Sequence, residues 1–369
     1  MRRITQYIHQ IPEWPAFQWN DKLVLEPLSL VRHHQGKLIG RMEAMGFRLR
    51  EDASLQTLTT EIVKSSEIEG EVLPHDQVRS SLARKLGLAV AGLVSSDRHV
   101  DGMVELMLDA TLHYDQPLSR ERLFEWHTLL FPTGKSGMYK ITVGNWRTGE
   151  QGPMQVVSGP MGSERIHYEA PEAARVNNEM NSFLTWFNTV HQIDPVLKAA
   201  LAHFWFVTIH PFDDGNGRIA RAITDLQLSR SDGSAQRFYS MSAQIRKERN
   251  EYYDILEKSQ SAKLDITNWI QWFIACLDRS IMATEEDLTG VLSKAKFWEQ
   301  HTTRLLNDRQ RTMLNKLLDG FDGKLTTSKW SKITKCSSDT ALRDIQFLMN
   351  ENILEKEEGG GRSTSYRIR

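Results

Sequence analysis

The sequence predicts a mainly α-helical protein made of two or three packed units. Its 369 residues exceed what one compact core usually contains. Apolar residues recur at spacings of three and four through most of the chain, which is the period of a helix with one buried face. The shares of hydrophobic residues, 40%, and of charged residues, 25%, are typical of globular proteins. These observations exclude a collagen-like or low-complexity chain.

Charge, cysteine content and hydropathy limit the partners and the location of the protein. The 46 Lys or Arg balance 47 Asp or Glu, so no field over the whole chain attracts nucleic acid. Cys276 and Cys336 match neither a disulfide framework nor paired zinc spacing. The most apolar stretch, 196–209, is shorter than the roughly 20 residues of a membrane span. No signal-peptide pattern opens the chain, and we expect a cytoplasmic protein without a membrane segment.

The N-terminal unit, residues 1–95, is predicted to be helical. Residues 22–49 have apolar residues at helical spacing, which predicts one amphipathic helix or two. A further helix at 55–68 leads into the sequence SSEIEG, where Gly70 and Pro74 are stop signals. This helix is therefore expected to end close to residue 70.

A β-hairpin is predicted inside the otherwise helical core, residues 96–285. Two strand-like pieces, 155–157 and 165–168, flank a turn that contains Gly159, Pro160 and Gly162. Two strands alone are marginally stable in water. The hairpin is therefore expected to have another role than building a sheet.

The last part of the chain, residues 300–369, predicts a winged helix-turn-helix. Three short helical segments precede an alternating segment with glycines at 359–361. The 13 Lys or Arg against 9 Asp or Glu give a mild basic bias, which makes DNA a partner to test. Acidic residues along the third helix and the wing oppose phosphate binding. Protein docking or dimerisation is the alternative role.

The sequence HPFDDGNGRIAR, residues 210–221, predicts an anion-binding loop directly after the apolar helix. Pro211 ends that helix because it cannot donate a backbone hydrogen bond. Gly215 and Gly217 permit backbone conformations that are closed to other residues. The following segment predicts a new helix, whose first N–H groups and positive dipole end attract phosphate.

The side chains of this segment indicate phosphoryl or nucleotidyl transfer. Arg218 and Arg221 lie three residues apart, so both face one side of the new helix and suit phosphate oxygens. Asp214 offers a hard oxygen ligand of the kind that Mg²⁺ prefers. His210 titrates near neutral pH and can take a proton from an incoming hydroxyl.

This segment resembles the motif of the Fic family, His-Pro-Phe-x-Asp/Glu-Gly-Asn-Gly-Arg-x-x-Arg, and fills every defined position. The resemblance covers roughly residues 100–277 and implies a helical bundle that transfers AMP from ATP to protein hydroxyls. It implies that His210 is the base, Phe212 an apolar anchor and Asp214 the Mg²⁺ ligand. It further implies an anion nest and a β- and γ-phosphate clamp, made by Gly215, Asn216, Gly217, Arg218 and Arg221.

The resemblance implies further ATP contacts outside the motif. The hairpin is similar to the family's flap, which adds a target backbone segment as a strand and presents its Ser, Thr or Tyr hydroxyl. The target is another protein or the chain itself. The residues so assigned to the ATP site are Val157, Ser158, Gly159, Tyr252, Tyr253 and Gln260. For the two tyrosines, a plain core position for one of them is an equal alternative.

Residues 65–70 resemble the inhibitory helix of Fic proteins, Ser/Thr-x-x-x-Glu-Gly/Asn, which would span about 55–70 here. Ser65, Glu69 and Gly70 fill the pattern. The resemblance implies that Glu69 pairs with Arg221, removes a γ-phosphate contact and forces ATP into a pose unsuited to in-line attack. We therefore expect an auto-inhibited enzyme.

Two other functions stay open at this point. With Glu69 positioning a water molecule, the same site could remove AMP from a modified protein. In the other alternative the chain is a DNA-binding regulator whose core only senses nucleotide. The oligomeric state also stays open, and a homodimer is one arrangement that we consider.

Overall fold

Helices dominate the fold, and the predicted mainly α-helical class is confirmed. The computed structural model describes residues 6–88, 92–150, 152–159, 163, 165–190, 192–261, 263–301, 304–318, 321, 323–357 and 364–369. Over these ranges the chain forms two compact units, Met1–Ala283 and Thr284–Arg369. Among the helices described, none is long and apolar enough to cross a membrane.

The first unit begins with three helices, α1 (Asp21–Glu43), α2 (Phe47–Ile68) and α3 (His75–Lys85). The segment 22–49, predicted as one helix or two, therefore belongs to two helices. Helix α1 ends at Glu43, and Gly46 caps the start of α2. The helix predicted from residue 55 begins earlier, at Phe47. It ends at Ile68, because Gly70 has a φ of +85°, a conformation that favours glycine.

Among the described residues, eight further α-helices begin within the first unit. Their bounds are α4 (Arg98–Leu112), α5 (Arg120–Leu130), α6 (Ala173–Asn188), α7 (Pro195–Ile209), α8 (Asn216–Asp232), α9 (Met241–Lys247), α10 (Arg249–Ser259) and α11 (Thr267–Gln300). Helices α7 and α8 pack against each other. Every residue of α7 after Pro195 is buried, which confirms that the most apolar stretch is a core helix.

The predicted hairpin is present as two antiparallel strands, β3 (Gln155–Ser158) and β4 (Arg165–Glu169). Its turn residues Pro160 and Gly162 lie outside the described residues. A second strand pair, β1 (Lys135–Ser136) and β2 (Tyr139–Lys140), was not predicted. It forms around Gly137, whose φ of +55° allows a tight turn.

The second unit contains three helices followed by a strand pair: α12 (Asp308–Leu318), α13 (Thr327–Thr334), α14 (Ser338–Asn350), β5 (Leu354–Lys356) and β6 (Tyr366–Ile368). Trp330, Ile345 and Leu348 belong to its own hydrophobic core. This element order agrees with the one expected for a winged helix. The three glycines at 359–361 lie outside the described residues, and the winged-helix interpretation stays a prediction.

Candidate nucleotide site

The segment 210–221 forms the connection between α7 and α8. Helix α7 ends at Ile209, and His210 follows with a φ of +52° in the left-handed region. Gly215, with a φ of +80°, caps the start of α8. A histidine at positive φ is strained, so the surrounding contacts must hold it in place.

Buried contacts brace this loop from within and from the rest of the core. The Asn216 side chain donates to the Phe212 carbonyl at 2.8 Å and accepts from the Phe212 N–H at 3.0 Å. The Phe212 ring stacks on His127, with the ring centres 4.2 Å apart. Arg147 Nε donates to the His210 carbonyl oxygen at 2.8 Å. These bonds explain how the loop keeps its strained backbone.

His210 lines a cavity of about 740 Å³. Its Nδ1 lies 3.1 Å from the carbonyl oxygen of Val207. Because a carbonyl only accepts, Nδ1 carries the proton and Nε2 is free to accept one. Burial lowers the pKa of His210 below its ordinary value of 6.5, and the charge of Arg147 lowers it further. The imidazole is therefore suited to act as a base at neutral pH.

The cavity brings together most of the residues that the sequence assigns to ATP. Its lining includes Val157, Ser158, His210, Asp214, Gly215, Asn216, Gly217, Tyr252, Tyr253 and Gln260. Gly159, which follows the end of β3 with a φ of +103°, does not line it. Arg218 and Arg221 are buried and do not line it either.

The residues of α10 and its cap also have structural contacts. Tyr252 is buried, and its hydroxyl lies 2.9 Å from Nε2 of His203. Gln260 is buried and donates to the Thr208 hydroxyl at 3.2 Å. Tyr253 is less buried and lies under the Arg249 guanidinium, at 5.0 Å from the ring centre. Of the two tyrosines, Tyr252 is therefore the one that lies in the core.

The Asp214 carboxylate is held by two neighbours in the loop region. One oxygen accepts from the Gly215 N–H at 2.6 Å, and the other accepts from the Ser136 hydroxyl. In the part of the chain that the structure describes, no group of three or more His, Cys, Asp or Glu side chains could hold a metal. Mg²⁺ usually takes one or two carboxylates and fills its shell with water and phosphate. Asp214 therefore fits Mg²⁺ only together with a bound nucleotide.

The predicted contact between Glu69 and Arg221 is present. Glu69 Oε1 lies 2.8 Å from Arg221 Nη1, and the Arg221 side chain is 2% exposed. Arg221 also donates to the hydroxyl and to the carbonyl oxygen of Ser65, both at 2.8 Å. Although burial alone would lower it, the Glu69 carboxylate raises the pKa of Arg221. Arg221 is thus held by the end of α2 through an ion pair with Glu69 and two hydrogen bonds to Ser65.

The Glu69 carboxylate also lies against the first turn of α8. A Cβ atom placed on Gly217 would stand 2.1 Å from Glu69 Oε1, so only glycine at this position permits the contact. The positive end of a helix dipole favours a carboxylate there. Glu69 therefore occupies the helix start at which the sequence predicts phosphate binding.

Three contacts around the motif were missed from the sequence. Glu71 Oε2 accepts from Arg218 Nη1 at 2.6 Å. Asp213, which received no role, accepts from the backbone N–H of Thr142 at 2.8 Å. The bond from Ser136 to Asp214 is the third. One signal in the sequence could have indicated the contact between Glu71 and Arg218: a second glutamate stands two residues after Glu69.

A carboxylate on α10 ties the hairpin to the core. Glu257 accepts from Arg165 Nη2 and from His167 Nδ1, each at 2.6 Å. Ser158 Oγ lies 2.5 Å from Nε2 of the same histidine. The side chains of His167 and Glu257 are 24% and 25% exposed. The end of the hairpin near its turn is thus attached through polar contacts near the surface, whereas Tyr168 of β4 is buried and donates to the Thr208 carbonyl oxygen at 2.7 Å.

Fold and site define a helical protein in which a glycine loop, a partly buried histidine and a β-hairpin border one cavity. Comparison with known proteins assigns this arrangement to a family. Residues 117–228 match the Fic/DOC family, and residues 7–88 match a domain of unknown function, DUF4172. The chain therefore contains a Fic domain, which confirms the resemblance found in the motif.

Relatives and solved structures agree with this assignment. Protein adenylyltransferase fic-1 of Caenorhabditis elegans is 30% identical over 167 residues, 44% of this chain and 30% of that protein. Protein adenylyltransferase Fic of Aedes aegypti is 33% identical over 104 residues, 28% of this chain and 19% of that protein. This chain thus covers less than a third of either relative.

The crystal structure of a Fic family protein from Desulfovibrio desulfuricans has a similar fold. Its TM-score to this chain is 0.52 at 20% identity, with 94% of this chain and 96% of that chain covered. A Fic domain containing signaling protein from Bacteroides thetaiotaomicron gives a TM-score of 0.50 at 19% identity, over 69% of this chain and 96% of that chain. At these identities the likeness concerns the fold.

Proposed function

We propose that this protein transfers AMP from ATP to a Ser, Thr or Tyr hydroxyl of a target protein or of itself. The main support is the common cavity of His210, Asp214 and Gly217, which joins a base, a carboxylate and a helix start. The names of the two relatives, both protein adenylyltransferases, agree with this chemistry.

His210 acts as the general base in this reaction. The target hydroxyl oxygen attacks the α-phosphorus, and the bond to the oxygen bridging to the β-phosphate breaks, so pyrophosphate leaves. The hydroxyl proton goes to Nε2 of His210, while Nδ1–H stays bonded to the Val207 carbonyl. The lowered pKa keeps the imidazole neutral before the proton arrives.

The start of α8 binds the phosphates of ATP. Gly215, Asn216 and Gly217 line the cavity at the start of α8, and the first N–H groups of a helix, at its positive end, are suited to bind phosphate. Arg218 and Arg221 add charge once their acidic partners release them. Asp214 would hold Mg²⁺ together with the phosphates. When bound, the ion neutralises phosphate charge during transfer.

Strand β3 presents the acceptor to this site. Val157 is 47% exposed, and Ser158 next to it is also exposed. An extended target segment can add to such a strand through backbone hydrogen bonds. Because backbone pairing reads little of the side chains, this mode accepts targets of different sequence.

Glu69 keeps the wild-type enzyme largely silent. It holds Arg221 and lies at the start of α8, where the γ-phosphate would bind. Replacing Glu69 by glycine removes both obstacles. We expect Glu69→Gly to raise the transfer rate more than about tenfold. This factor corresponds to the free energy of one charge-assisted hydrogen bond.

The test is transfer of label from ATP that carries the radiolabel on its α-phosphorus, together with intact mass. Wild type, Glu69→Gly and Glu69→Gly with His210→Ala are compared, each with and without cell lysate. Glu67→Gln is the matched control, because Glu67 pairs with Lys64 at 2.8 Å instead. Strong labelling by Glu69→Gly alone is expected. Equal labelling by wild type and Glu69→Gly would reject the inhibition, and no labelling by any variant would reject the transfer.

The alternatives have less support. The relatives' names favour transfer over AMP removal and over nucleotide sensing alone. In the second unit Arg304, Arg309 and Arg367 each pair with a carboxylate, which reduces the charge available to a DNA backbone. DNA binding stays a prediction, to be tested by a mobility shift of the full chain at low salt.

A further inference from the structure

We propose that Glu71 is a second inhibitory carboxylate, which holds Arg218 while Glu69 holds Arg221. Full activity then requires release of both arginines. This inference rests on the proposed transfer of AMP from ATP, and it adds a second contact to the regulation of the same site.

The contact between Glu71 and Arg218 is short, and its arginine is shielded from water while the Glu71 side chain is 33% exposed. Arg218 Nη1 lies 2.6 Å from Glu71 Oε2, and the Arg218 side chain is 6% exposed. The guanidinium carbon lies 5.1 Å from the Phe131 ring centre, which covers one side of the cation. A charge-assisted hydrogen bond in such surroundings is stronger than one at the surface.

Arg218 retains an unused hydrogen-bond donor. Its Nε is buried and has no hydrogen-bond partner. Buried N–H groups in folded proteins are nearly always bonded, so such an exception calls for an explanation. A phosphate oxygen that binds near the start of α8 would supply the missing acceptor. Arg218 is therefore equipped for an anion in addition to its present partner.

Glu71 is anchored differently from Glu69. Glu69 caps α2, whereas Glu71 lies in the segment between α2 and α3. The other Glu71 oxygen contacts Nε2 of His99, which belongs to the first turn of α4. The positive end of that helix also favours the carboxylate. Removing Glu69 therefore leaves the contact between Glu71 and Arg218 in place.

Glu71 is charged where this contact is made. Burial acts to raise its pKa, but the hydrogen bond from His99 and the charge of Arg218 lower the pKa of Glu71 overall. The carboxylate thus neutralises the arginine that the phosphates of ATP need. AMP has no β- and γ-phosphate, so its binding should not respond to Arg218.

The experiment measures the binding of ATP and of AMP by calorimetry, with Mg²⁺ present. The compared proteins are Glu69→Gly and Glu69→Gly with Glu71→Ala, each carrying His210→Ala so that no AMP is transferred during titration. We expect Glu71→Ala to tighten ATP binding about tenfold and to leave AMP binding unchanged. With His210 restored, label transfer should rise by a similar factor.

Two control variants test whether a change in ATP binding comes from the release of Arg218 and not from a general change in the structure. Glu67→Ala removes a nearby carboxylate at the end of α2. The partners of Glu67 are Lys64 and Arg246. It should change neither ATP nor AMP binding. His99→Ala weakens the hold on Glu71 and should tighten ATP binding by a smaller factor. Thermal unfolding of every variant checks that it is folded.

Each outcome decides the inference. Unchanged ATP binding after Glu71→Ala would overturn it. Weaker ATP binding would also overturn it, because Glu71 would then orient Arg218 towards phosphate. If ATP binding tightens as expected while Glu69→Gly transfers no label to any protein, the opposition of Glu71 to ATP binding at Arg218 stands and the proposed transfer fails.

Discussion

The cavity is bordered by the loop between α7 and α8 and by the hairpin β3–β4, and these two parts are held by different kinds of contact. The loop between α7 and α8 is braced by buried contacts, among them the two bonds between Asn216 and Phe212 and the bond from Arg147. Among the described residues of the hairpin β3–β4, only Tyr168 on β4 has a buried anchor of this kind, a bond to the Thr208 carbonyl oxygen. The end of the hairpin near its turn is tied through Glu257, whose partner Arg165 is 69% exposed. Buried bonds cost much to break, whereas exposed ion pairs contribute little.

This difference agrees with the proposed division of labour. Transfer chemistry needs a base and an anion site in constant positions, because small displacements reduce the rate strongly. A surface that accepts different target segments benefits from weaker attachment. The loop should therefore respond to substitution with large losses, and the exposed positions of the hairpin with small ones.

The largest expected effect is the loss of the base. In the Glu69→Gly protein, His210→Ala should lower label transfer by about 10²- to 10⁴-fold, the usual contribution of general base catalysis. ATP affinity should change little. His167→Ala is the matched control, since His167 also lines the cavity but lies on the hairpin. Similar rates with and without His210 would contradict the mechanism.

Substitution of the buried Phe212 ring in the loop should lower the stability of the protein more than substitution of an exposed residue on the hairpin. Phe212 is 0% exposed, so Phe212→Ala should lower the free energy of unfolding by about 3–5 kcal/mol. Ile166, on the hairpin, is 46% exposed, and Ile166→Ala should cost less than about 1 kcal/mol. Urea unfolding of the full chain measures both. Equal losses would remove the contrast between loop and hairpin.

The pH profile reports on the same histidine. Because the neutral imidazole accepts the proton, transfer by Glu69→Gly should be constant above the pKa of His210 and fall about tenfold per pH unit below it. The lowered pKa places this decline below 6.5. Loss of the Glu69 charge, which raises that pKa, moves the decline to still lower pH. A decline that begins above pH 6.5 would contradict the assignment.

The smallest effect is expected at the hairpin anchor. Glu257→Gln removes the charge that binds Arg165 and His167, and partly exposed pairs contribute about 0.2–1 kcal/mol. Transfer should fall less than about fivefold, with faster hydrogen exchange in β3. Glu251→Gln, an exposed carboxylate on the same helix, is the control. A loss as large as that of His210→Ala would show that the hairpin is part of the fixed site.

The sequence by itself determined the helical class, the hairpin and the loop between α7 and α8. These features depend on local chemistry: the period of apolar residues, a proline after α7, and Gly215, where the backbone takes a positive φ. The same expectation for Gly217 was wrong, because Gly217 lies within α8 without a positive φ and is needed instead for the close approach of Glu69. The contact of Glu69 with Arg221 was also predicted, but through the resemblance to the Fic family and not through spacing.

Only the tertiary structure decided the partners that hold the site. Arg147 reaches His210 across 63 residues, and Glu71 reaches Arg218 across 147. It also placed Gly159 outside the cavity and put Ser136 on Asp214. Such contacts join segments that have no local relation in sequence. They depend on how whole helices pack, because packing alone brings the buried polar groups of distant segments within hydrogen-bonding distance.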